Sequence, residues 1–312
     1  MTTIVSTDSL SFNAVDVGVG PGTRILVLDS DAWQILVFDS SGRMLSRIGR
    51  EGSGPGEIRV AKDLEVGMNG TMAVADVGNA RIGFWSPDGR WLGQSTLRRW
   101  VHDLAWIPAG LFAKQESAGG LQLRRVVWDD SGGSEVAGAL LPRALMDSTG
   151  MNWEFGPVDV LSPGRGLFAY PDSVYVVMET DSIGQVVTTF QRHDVERVPL
   201  SSAEREVIAA RFRQAAAQRP GLPMAEPPEF KRLIMDIAAD DRGRLWILRS
   251  TLDGVDAEFD VFGPDGSYLG IVRVPSPVRR FELQGEYLIA YGESDVGESA
   301  VSLYTYSTRT LP

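Results

Sequence analysis

The chain repeats itself at a spacing of 47 residues, from Asp29 to Asp76. The segments DSDAWQILVFDSSGRML (29–45) and DVGNARIGFWSPDGRWL (76–92) align without a gap. A third copy, DAEFDVFGPDGSYLG (256–270), keeps the alternating apolar residues and the glycine turn. Alternation on both sides of a tight turn indicates a hairpin between half-buried strands. The chain is therefore predicted to consist of repeated β units.

A second short apolar strand recurs along the chain, and each copy begins after a glycine. Its six copies start at Gly22, Gly70, Gly110, Gly166, Gly243 and Gly285. Two intervals are long, and the others are close to the length of a four-stranded propeller blade, roughly 40 residues. We therefore predict an all-β fold, a six-bladed β-propeller that forms a single domain over residues 1–312.

The longest interval contains a predicted helical insertion at about 201–221, SSAEREVIAARFRQAAAQRPG. Ser201 and Glu204 have capping-box spacing, and a Pro-Gly pair ends the run of helix-forming residues. Within the helix, Ile208 and Phe212 form an apolar stripe with Ala215, which we expect to pack on the propeller.

The two ends of the chain predict how the ring closes. The last unit offers three strands, and TTIVSTDS (2–9) reads as a strand that belongs to no unit. Pairing of this N-terminal strand with the last blade would close the ring and protect both edges.

Composition excludes several classes of function. The net charge of −11 opposes binding to a phosphate backbone, so we expect no nucleic-acid partner. The chain has no cysteine, which removes disulfides and thiolate chemistry. With 2 histidines, multi-histidine metal centres and most Ser/His/Asp sites are hard to build. No apolar run is long enough for a transmembrane segment.

A glycine-rich loop, SRIGREGSGPGEI (46–58), could either bind a phosphate or turn the chain. A phosphate loop of the Walker type needs a Lys-Ser/Thr pair that opens a helix, whereas this loop opens a strand. We therefore interpret it as a turn between blades, with glycines in left-handed backbone conformations.

An acidic residue followed by an aliphatic one precedes each glycine start. The acidic residues are Asp16, Asp63, Asp103, Asp159, Asp236 and Glu282, the last of them out of step. On the innermost strands these carboxylates could form a ring beside the channel. Asp63, Asp103, Asp159 and Asp236 are then candidate ligands for a hard cation such as Ca²⁺. Alternatively, each carboxylate accepts hydrogen bonds from backbone N–H groups of a neighbouring blade, as a brace that needs no ligand.

Cationic and aromatic residues precede the innermost strands, where loops form the mouth of a propeller. The candidate ligand-binding residues are Arg59, Lys62, Arg99, Trp100, His102, Trp153, Arg232 and Arg280. Such groups around one funnel suit an anionic or sugar-like ligand or a peptide carboxylate. The alternative is that the arginines solvate a rim and the tryptophans fill gaps between blades.

The strand pair followed by IGREGSGPGEI resembles the NHL-type repeat, and ADDRGRLWILRS, FDVFGPDGSYLGIVRVP and VPLSSAERE are similar to bacterial six-bladed propeller proteins. The resemblance implies a propeller fold and an extracytoplasmic location, periplasmic or secreted, with the signal segment absent from this chain. It also suggests calcium-dependent lactonases and esterases of six-bladed form, whose metal is held by Glu and Asn/Asp residues. No position of this chain matches that ligand pattern.

These observations favour a non-catalytic, monomeric propeller that binds a small anionic ligand or a protein or peptide at the channel mouth, without a cofactor. One alternative is a metal-dependent hydrolase of the lactonase/esterase type that uses Ca²⁺. Another is an assembly scaffold that acts through the inserted helix.

Overall fold

The computed structural model describes most of the chain. The described residues are 2–6, 12–97, 101–107, 110–117, 120–126, 134–142, 158–162, 165–169, 174–181, 185–218, 226–252, 256–275, 278–293 and 299–306.

The strands form six four-stranded antiparallel sheets, which are the blades of the propeller. The chain starts with β1 (Thr2–Ser6). Blade one comprises β2 (Ala14–Gly20), β3 (Arg24–Asp29), β4 (Gln34–Phe38) and β5 (Met44–Ile48). Blade two comprises β6 (Ala61–Val66), β7 (Met72–Asp76), β8 (Arg81–Trp85) and β9 (Trp91–Thr96). Blade three comprises β10 (Val101–Ile107), β11 (Gly110–Ser117), β12 (Gly120–Val126) and β13 (Ser134–Pro142). Blade four comprises β14 (Val158–Ser162), β15 (Arg165–Ala169), β16 (Val176–Thr180) and β17 (Val186–Gln191).

Blades five and six follow the helical insertion. Blade five comprises β18 (Ile234–Ala239), β19 (Leu245–Arg249), β20 (Ala257–Phe262) and β21 (Tyr268–Val274). Blade six comprises β22 (Arg280–Gln284), β23 (Tyr287–Glu293) and β24 (Ser299–Thr305), with β1 as its fourth strand. Thr2 pairs with Leu303 and Ser6 with Ala300, so the predicted pairing of the N-terminal strand with the last blade is present. The all-β, six-bladed prediction is confirmed.

The core lies between neighbouring sheets. One cluster joins Leu28 and Ile35 of blade one to Leu64, Val74 and Trp85 of blade two. The two middle strands of a blade bury both faces, and all five residues of β7 and of β8 are buried. This explains why these strands read as continuous apolar runs, while the outermost strands alternate or are exposed.

The first strand of each blade is innermost, and the loop from the previous blade leads into it. These first strands contact one another in order around the ring, from β2 through β6, β10, β14, β18 and β22 and back to β2. Residues at the start of the first strands therefore share one end of the channel, which we call the mouth. The turns that follow these strands share the opposite end.

The glycine-rich loop between blades one and two is braced from within. Glu57 accepts a hydrogen bond from the backbone N–H of Gly54 at 2.7 Å and pairs with Arg50 at 2.7 Å. Arg81 donates to the carbonyl oxygens of Gly54 and Glu57 at 2.9 and 2.6 Å. The Glu57 carboxylate thus occupies the N–H group of Gly54, and the loop connects β5 to β6 as the predicted blade-to-blade turn.

The insertion contains one helix among the described residues, α1 (Ser202–Gln218). The backbone N–H of Ser201 donates to Glu204 at 2.8 Å and the N–H of Glu204 donates to the Ser201 hydroxyl at 3.3 Å, which is the predicted capping box. Ile208 and Phe212 are half-buried, as expected for the apolar stripe, whereas the side chain of Ala215 lies outside the described residues.

A buried polar cluster joins blades four and five. Asp260 is 0% exposed and accepts hydrogen bonds from the Tyr175 hydroxyl at 2.6 Å, from Arg192 Nη1 at 2.7 Å and from the Tyr268 hydroxyl at 3.0 Å. Burial and the Asp260 charge raise the pKa of Tyr175 and raise that of Tyr268 to about 12, so both hydroxyls stay protonated as donors. The guanidinium of Arg192 also pairs with Asp194 at 2.6 Å.

Candidate functional site

Three members of the predicted ring of carboxylates, Asp16, Asp63 and Asp236, lie at the mouth and brace adjacent blades. Asp16 Oδ2 accepts a hydrogen bond from the backbone N–H of Leu64 at 2.7 Å. Asp63 makes the same contact with the N–H of Leu104 at 2.7 Å. Asp236 accepts from the N–H of Phe281 at 3.1 Å. Each carboxylate therefore links its own blade to the first strand of the next one, as the structural interpretation of the repeat predicted.

A local irregularity of the strand positions these carboxylates. The register of the first strand shifts between Ala14 and Asp16 in blade one and between Ala61 and Leu64 in blade two. Shifts also occur at Asp103 in blade three and at Asp236 in blade five. A bulge of this kind re-aims a side chain relative to regular pleating. It lets the carboxylate reach sideways to the neighbouring blade.

In blade six, an arginine occupies the position of the ring carboxylate. In each braced blade, one backbone N–H donates to the ring carboxylate of the previous blade. The residue that carries this N–H directly follows the ring residue of its own blade, as Leu64 follows Asp63. By the same rule Phe281 marks Arg280 as the ring residue of blade six. The expected sixth member, Glu282, lies two residues further along β22 and is not equivalent. Sequence reasoning had placed Arg280 among the mouth residues but not in the ring.

The carboxyl group of Asp63 is adjacent to that of Asp16 on one side and to that of Asp103 on the other. Burial and the charges of Asp103 and Asp16 raise the pKa of Asp63 well above its usual range. Burial also raises the pKa of Asp16, although the hydrogen bond from Asp63 opposes the shift. Three adjacent carboxyl groups cannot all ionise without a large cost, so Asp63 retains the proton and acts as a donor.

Asp103 is the ionised member of this group. Burial would raise its pKa, but the charge of Lys114 and the hydrogen bond from Asp63 lower it below the ordinary value. Lys114 is 4% exposed and its Nζ lies 2.5 Å from Asp103 Oδ2. These two residues face each other across β10 and β11, and so the carboxylate has its own buried counter-charge.

Arg280 lies among the ring carboxylates and is nevertheless exposed. Burial acts to lower its pKa, but Tyr291 and the charges of Asp236 and Asp16 raise it above the usual value. A side chain that lines an open channel has both properties, because water reaches it while protein surrounds it. Asp236 is half-buried, and its burial raises the pKa to about 7 despite the opposing charge of Arg280. The ring thus carries less negative charge at neutral pH than its count of aspartates indicates.

The other predicted mouth residues are only partly placed. Arg59 and Lys62 are exposed beside the start of β6, and Arg232 is half-buried before β18. Arg99, Trp100 and Trp153 lie outside the described residues. The backbones of His102 and Asp159 lie in the first strands β10 and β14 respectively, and their side chains are outside the description. The structure therefore brings Arg280 together with Asp103 and Asp236, and leaves the aromatic part of the mouth a prediction.

The calcium hypothesis also stays a prediction. In the part of the chain that the structure describes, no group of three or more His, Asp or Glu side chains is arranged to hold a metal ion. Asp16, Asp63 and Asp236 each commit an oxygen to a backbone N–H, and Asp103 is paired with Lys114. Burial raises the pKa of Asp63, and Lys114 supplies a counter-charge to Asp103.

Chelation provides a direct check of this charge balance. We expect EDTA to leave the melting temperature unchanged, and added Ca²⁺ to leave it unchanged as well, because Asp16, Asp63, Asp103 and Asp236 each have a protein partner. The measurement is a thermal-shift titration together with elemental analysis of the purified protein. A stoichiometric metal whose removal lowers the melting temperature would contradict this expectation and favour the metal-dependent hydrolase.

Sequence reasoning missed Lys114 and misassigned the sixth ring position. Lys114 interrupts an apolar strand, GLFAKQ (110–115), at a buried position, which signals a partner of opposite charge. Arg280 precedes an apolar residue as the ring aspartates do, and it lies closer to their spacing from the glycine start than Glu282 does. Both signals are present in the sequence. The ring pattern was defined by acidic residues, and Lys114 and Arg280 are basic.

The described helix is not long and apolar enough to cross a membrane.

The model of the DUF5128 family, described as a 6-bladed beta-propeller, matches residues 12–98, which include blades one and two. No curated protein matches the chain at a significant level.

Several solved structures share the fold. A member of the duf4221 family from Bacteroides vulgatus has 10% sequence identity and a TM-score of 0.59, with 98% of this chain and 96% of that chain covered. A protein described as exported, from Bacteroides fragilis, has 12% identity and a TM-score of 0.57, with 98% and 94% covered. Virginiamycin B lyase from Staphylococcus aureus has 12% identity and a TM-score of 0.53, with 97% of each chain covered. At such identities the similarity concerns the fold alone. The six sheets and the family match make this chain a six-bladed β-propeller.

Proposed function

We propose that this propeller is a non-catalytic binding protein that takes a small anionic ligand at its channel mouth, with Arg280 as the principal contact. The observation that carries the proposal is the break in the ring. Blades one, two and five use the ring position for a carboxylate that braces the next blade. An arginine has no acceptor and cannot make that contact. Arg280 therefore does not brace the next blade as the ring carboxylates do. It places a permanent, exposed positive charge in the channel.

The surroundings of Arg280 support an anionic ligand in spite of the acidic residues. The raised pKa of Asp236, the proton on Asp63 and the pairing of Asp103 with Lys114 leave the guanidinium less than fully neutralised. Arg59 and Lys62 add exposed positive charge at the same end of the inner strands. A planar guanidinium binds carboxylates and phosphates through two parallel hydrogen bonds, so these are the ligand groups that we expect.

An extracytoplasmic location is part of the same proposal. It is supported by the similarity in fold to a Bacteroides protein described as exported. A protein at that location would meet free anionic metabolites and peptide carboxylates, which are the ligand classes suited to Arg280.

Replacing Arg280 with glutamine tests the proposal. We expect calorimetric titration with acetate, succinate, citrate and inorganic phosphate to detect binding of at least one anion to the wild-type protein. Arg280→Gln should weaken that binding by about tenfold or more, because a charge-assisted hydrogen bond contributes about 1.5–3 kcal/mol. Arg280→Lys should retain part of the affinity, since it keeps the charge and loses the two-pronged geometry.

Arg43→Gln is the matched control. Arg43 has a side chain 77% exposed in the outer turn of blade one, so this change alters the net charge equally at a distance from the channel. It should leave the affinity unchanged. The proposal fails if no anion binds, or if Arg280→Gln binds as tightly as Arg43→Gln.

A further inference from the structure

A second break in the repeat lies at the opposite end of the channel. The turn between the first two strands of a blade uses a glycine with left-handed backbone, such as Gly70 at φ +79°, Gly243 at +73° and Gly285 at +60°. In blade one Gly22 is left-handed at φ +72°, and Thr23, which the 47-residue repeat aligns with Gly70, is left-handed as well at φ +57°. This conformation is strongly disfavoured for a β-branched residue, and such strain persists mainly at functional sites.

Thr23 lies on a cavity of about 520 Å³, which is within the range of small-molecule sites. The cavity is formed by turns of blades one, two and six, among them Pro21, Met68 and Gln284. The Thr23 hydroxyl donates to the Tyr287 hydroxyl at 3.4 Å, so the strained residue connects blade one to blade six at the edge of the cavity. Threonine supplies a hydroxyl group at this position, which glycine lacks. This hydroxyl explains why a residue with a strained backbone occupies the turn.

The groups around the cavity favour a cation. Glu286 is exposed and is the one charged residue among the described residues that line it. The aromatic ring of Tyr287 and the thioether of Met68, a residue that is 83% exposed, offer polarisable surfaces, and an aromatic face attracts ammonium groups. The net charge of −11 adds a field that concentrates cations around the whole molecule.

An adjoining cavity of about 330 Å³ shares Pro21 and Gly22 with the first. Its lining includes the apolar side chains of Leu26, Met72 and Pro87, together with Arg24. Arg24 repels a positive group, so a cationic head fits beside Glu286 and an apolar body fits in the adjoining cavity. The two cavities together suit an amphipathic ligand whose cationic group lies in the first cavity and whose apolar part lies in the adjoining one.

We propose that this end of the channel is a second binding site, distinct from the mouth, for a small organic cation that carries an ammonium group on an apolar chain. Glu286 and Tyr287 bind the ammonium group. Thr23 and Gln284 provide hydrogen bonds, and Met68 and Pro87 contact the chain. The site does not depend on Arg280 or on the anion proposed for the mouth.

Titration with three compounds of one chain length tests the charge preference. We expect hexylammonium to bind to the wild-type protein, measured by calorimetry at low ionic strength, and to bind at least about tenfold more tightly than hexanoate or hexanol. Glu286→Gln should weaken hexylammonium binding by about tenfold, because it removes the charge and keeps the shape. Equal binding of hexanoate, or no binding of hexylammonium, would overturn the proposal.

Two further variants separate a site from a general charge effect. Asp241→Asn removes an exposed carboxylate from the corresponding turn of blade five and should leave hexylammonium affinity unchanged. Thr23→Gly removes the hydroxyl and the backbone strain, so it should weaken hexylammonium binding while the melting temperature stays the same or rises. If Asp241→Asn weakens binding as much as Glu286→Gln does, the effect is general electrostatics and the proposed site is wrong.

Discussion

Replacing Asp260 with alanine is expected to lower the free energy of unfolding by about 3–5 kcal/mol, the cost of breaking a buried charge pair from one side. The change removes the acceptor of Tyr175, Arg192 and Tyr268 at once. The Arg192 side chain is 12% exposed, so water compensates its lost partner only in part. Because these residues come from two blades, the contact between blades four and five weakens.

Urea denaturation of the wild-type and variant proteins measures this effect. Asp194→Ala is the matched control, because Asp194 pairs with the same Arg192 but its side chain is 72% exposed. Exposed pairs contribute about 1 kcal/mol or less, so the control should lose little. If Asp260→Ala does not fold, Asp260→Asn keeps an acceptor oxygen and should give an intermediate loss. A loss for Asp260→Ala no greater than for Asp194→Ala would contradict the role of the cluster.

The protein is expected to lose stability as the pH rises from about 5 to about 8. The pKa of Asp236 is about 7 in the folded protein and about 3.9 in an unfolded chain. Between these values the unfolded chain releases a proton that the folded protein keeps, so the free energy of unfolding falls by up to about 1.4 kcal/mol per pH unit. The raised pKa values of Asp63 and Asp16 act in the same direction. The lowered pKa of Asp103 acts oppositely, and only in acid.

Asp236→Asn isolates one contribution to this pH dependence. The amide oxygen can still accept the N–H of Phe281, and the side chain no longer titrates. We expect its melting temperature to depend less on pH than that of the wild type, and to exceed it at pH 8. The melting temperature of Asp241→Asn, a change in an exposed turn, should depend on pH in the same way as that of the wild type. A wild-type melting temperature that is constant or rises between pH 5 and pH 8 would contradict the protonated ring.

The blades could be predicted from the sequence because each uses the same local devices. Alternating apolar residues, a glycine at the turn between the first two strands and a second Gly turn repeat with the blades, and they mark the strands independently of tertiary contacts. The capping box at Ser201 and Glu204 marked the start of α1 in the same way. The spacing of Asp63 and Asp103 from the glycine starts likewise predicted their place on the innermost strands.

The function of the ring could not be read from the same pattern. Whether Asp63 braces a blade or binds a cation depends on which atom lies within 3 Å of it, and Leu104 is 41 positions away in the chain. The pairing of Asp103 with Lys114 and the position of Arg280 beside Asp236 are also long-range facts of the ring. The strain at Thr23 was missed because the sequence shows a threonine in a turn and not its backbone angle. The predicted single domain, the monomeric state and the scaffold alternative stay predictions.

Observation of the Arg280 side chain during ligand titration tests the central claim most directly. Arg280→Gln assigns the Arg280 Nε–Hε resonance by its disappearance from the NMR spectrum, and citrate or succinate is then added to the wild-type protein. We predict a saturable shift of this resonance with the same dissociation constant as calorimetry gives. Binding that leaves the Arg280 resonance in place while other signals move would show that the ligand binds elsewhere, and would contradict the mouth as the binding site.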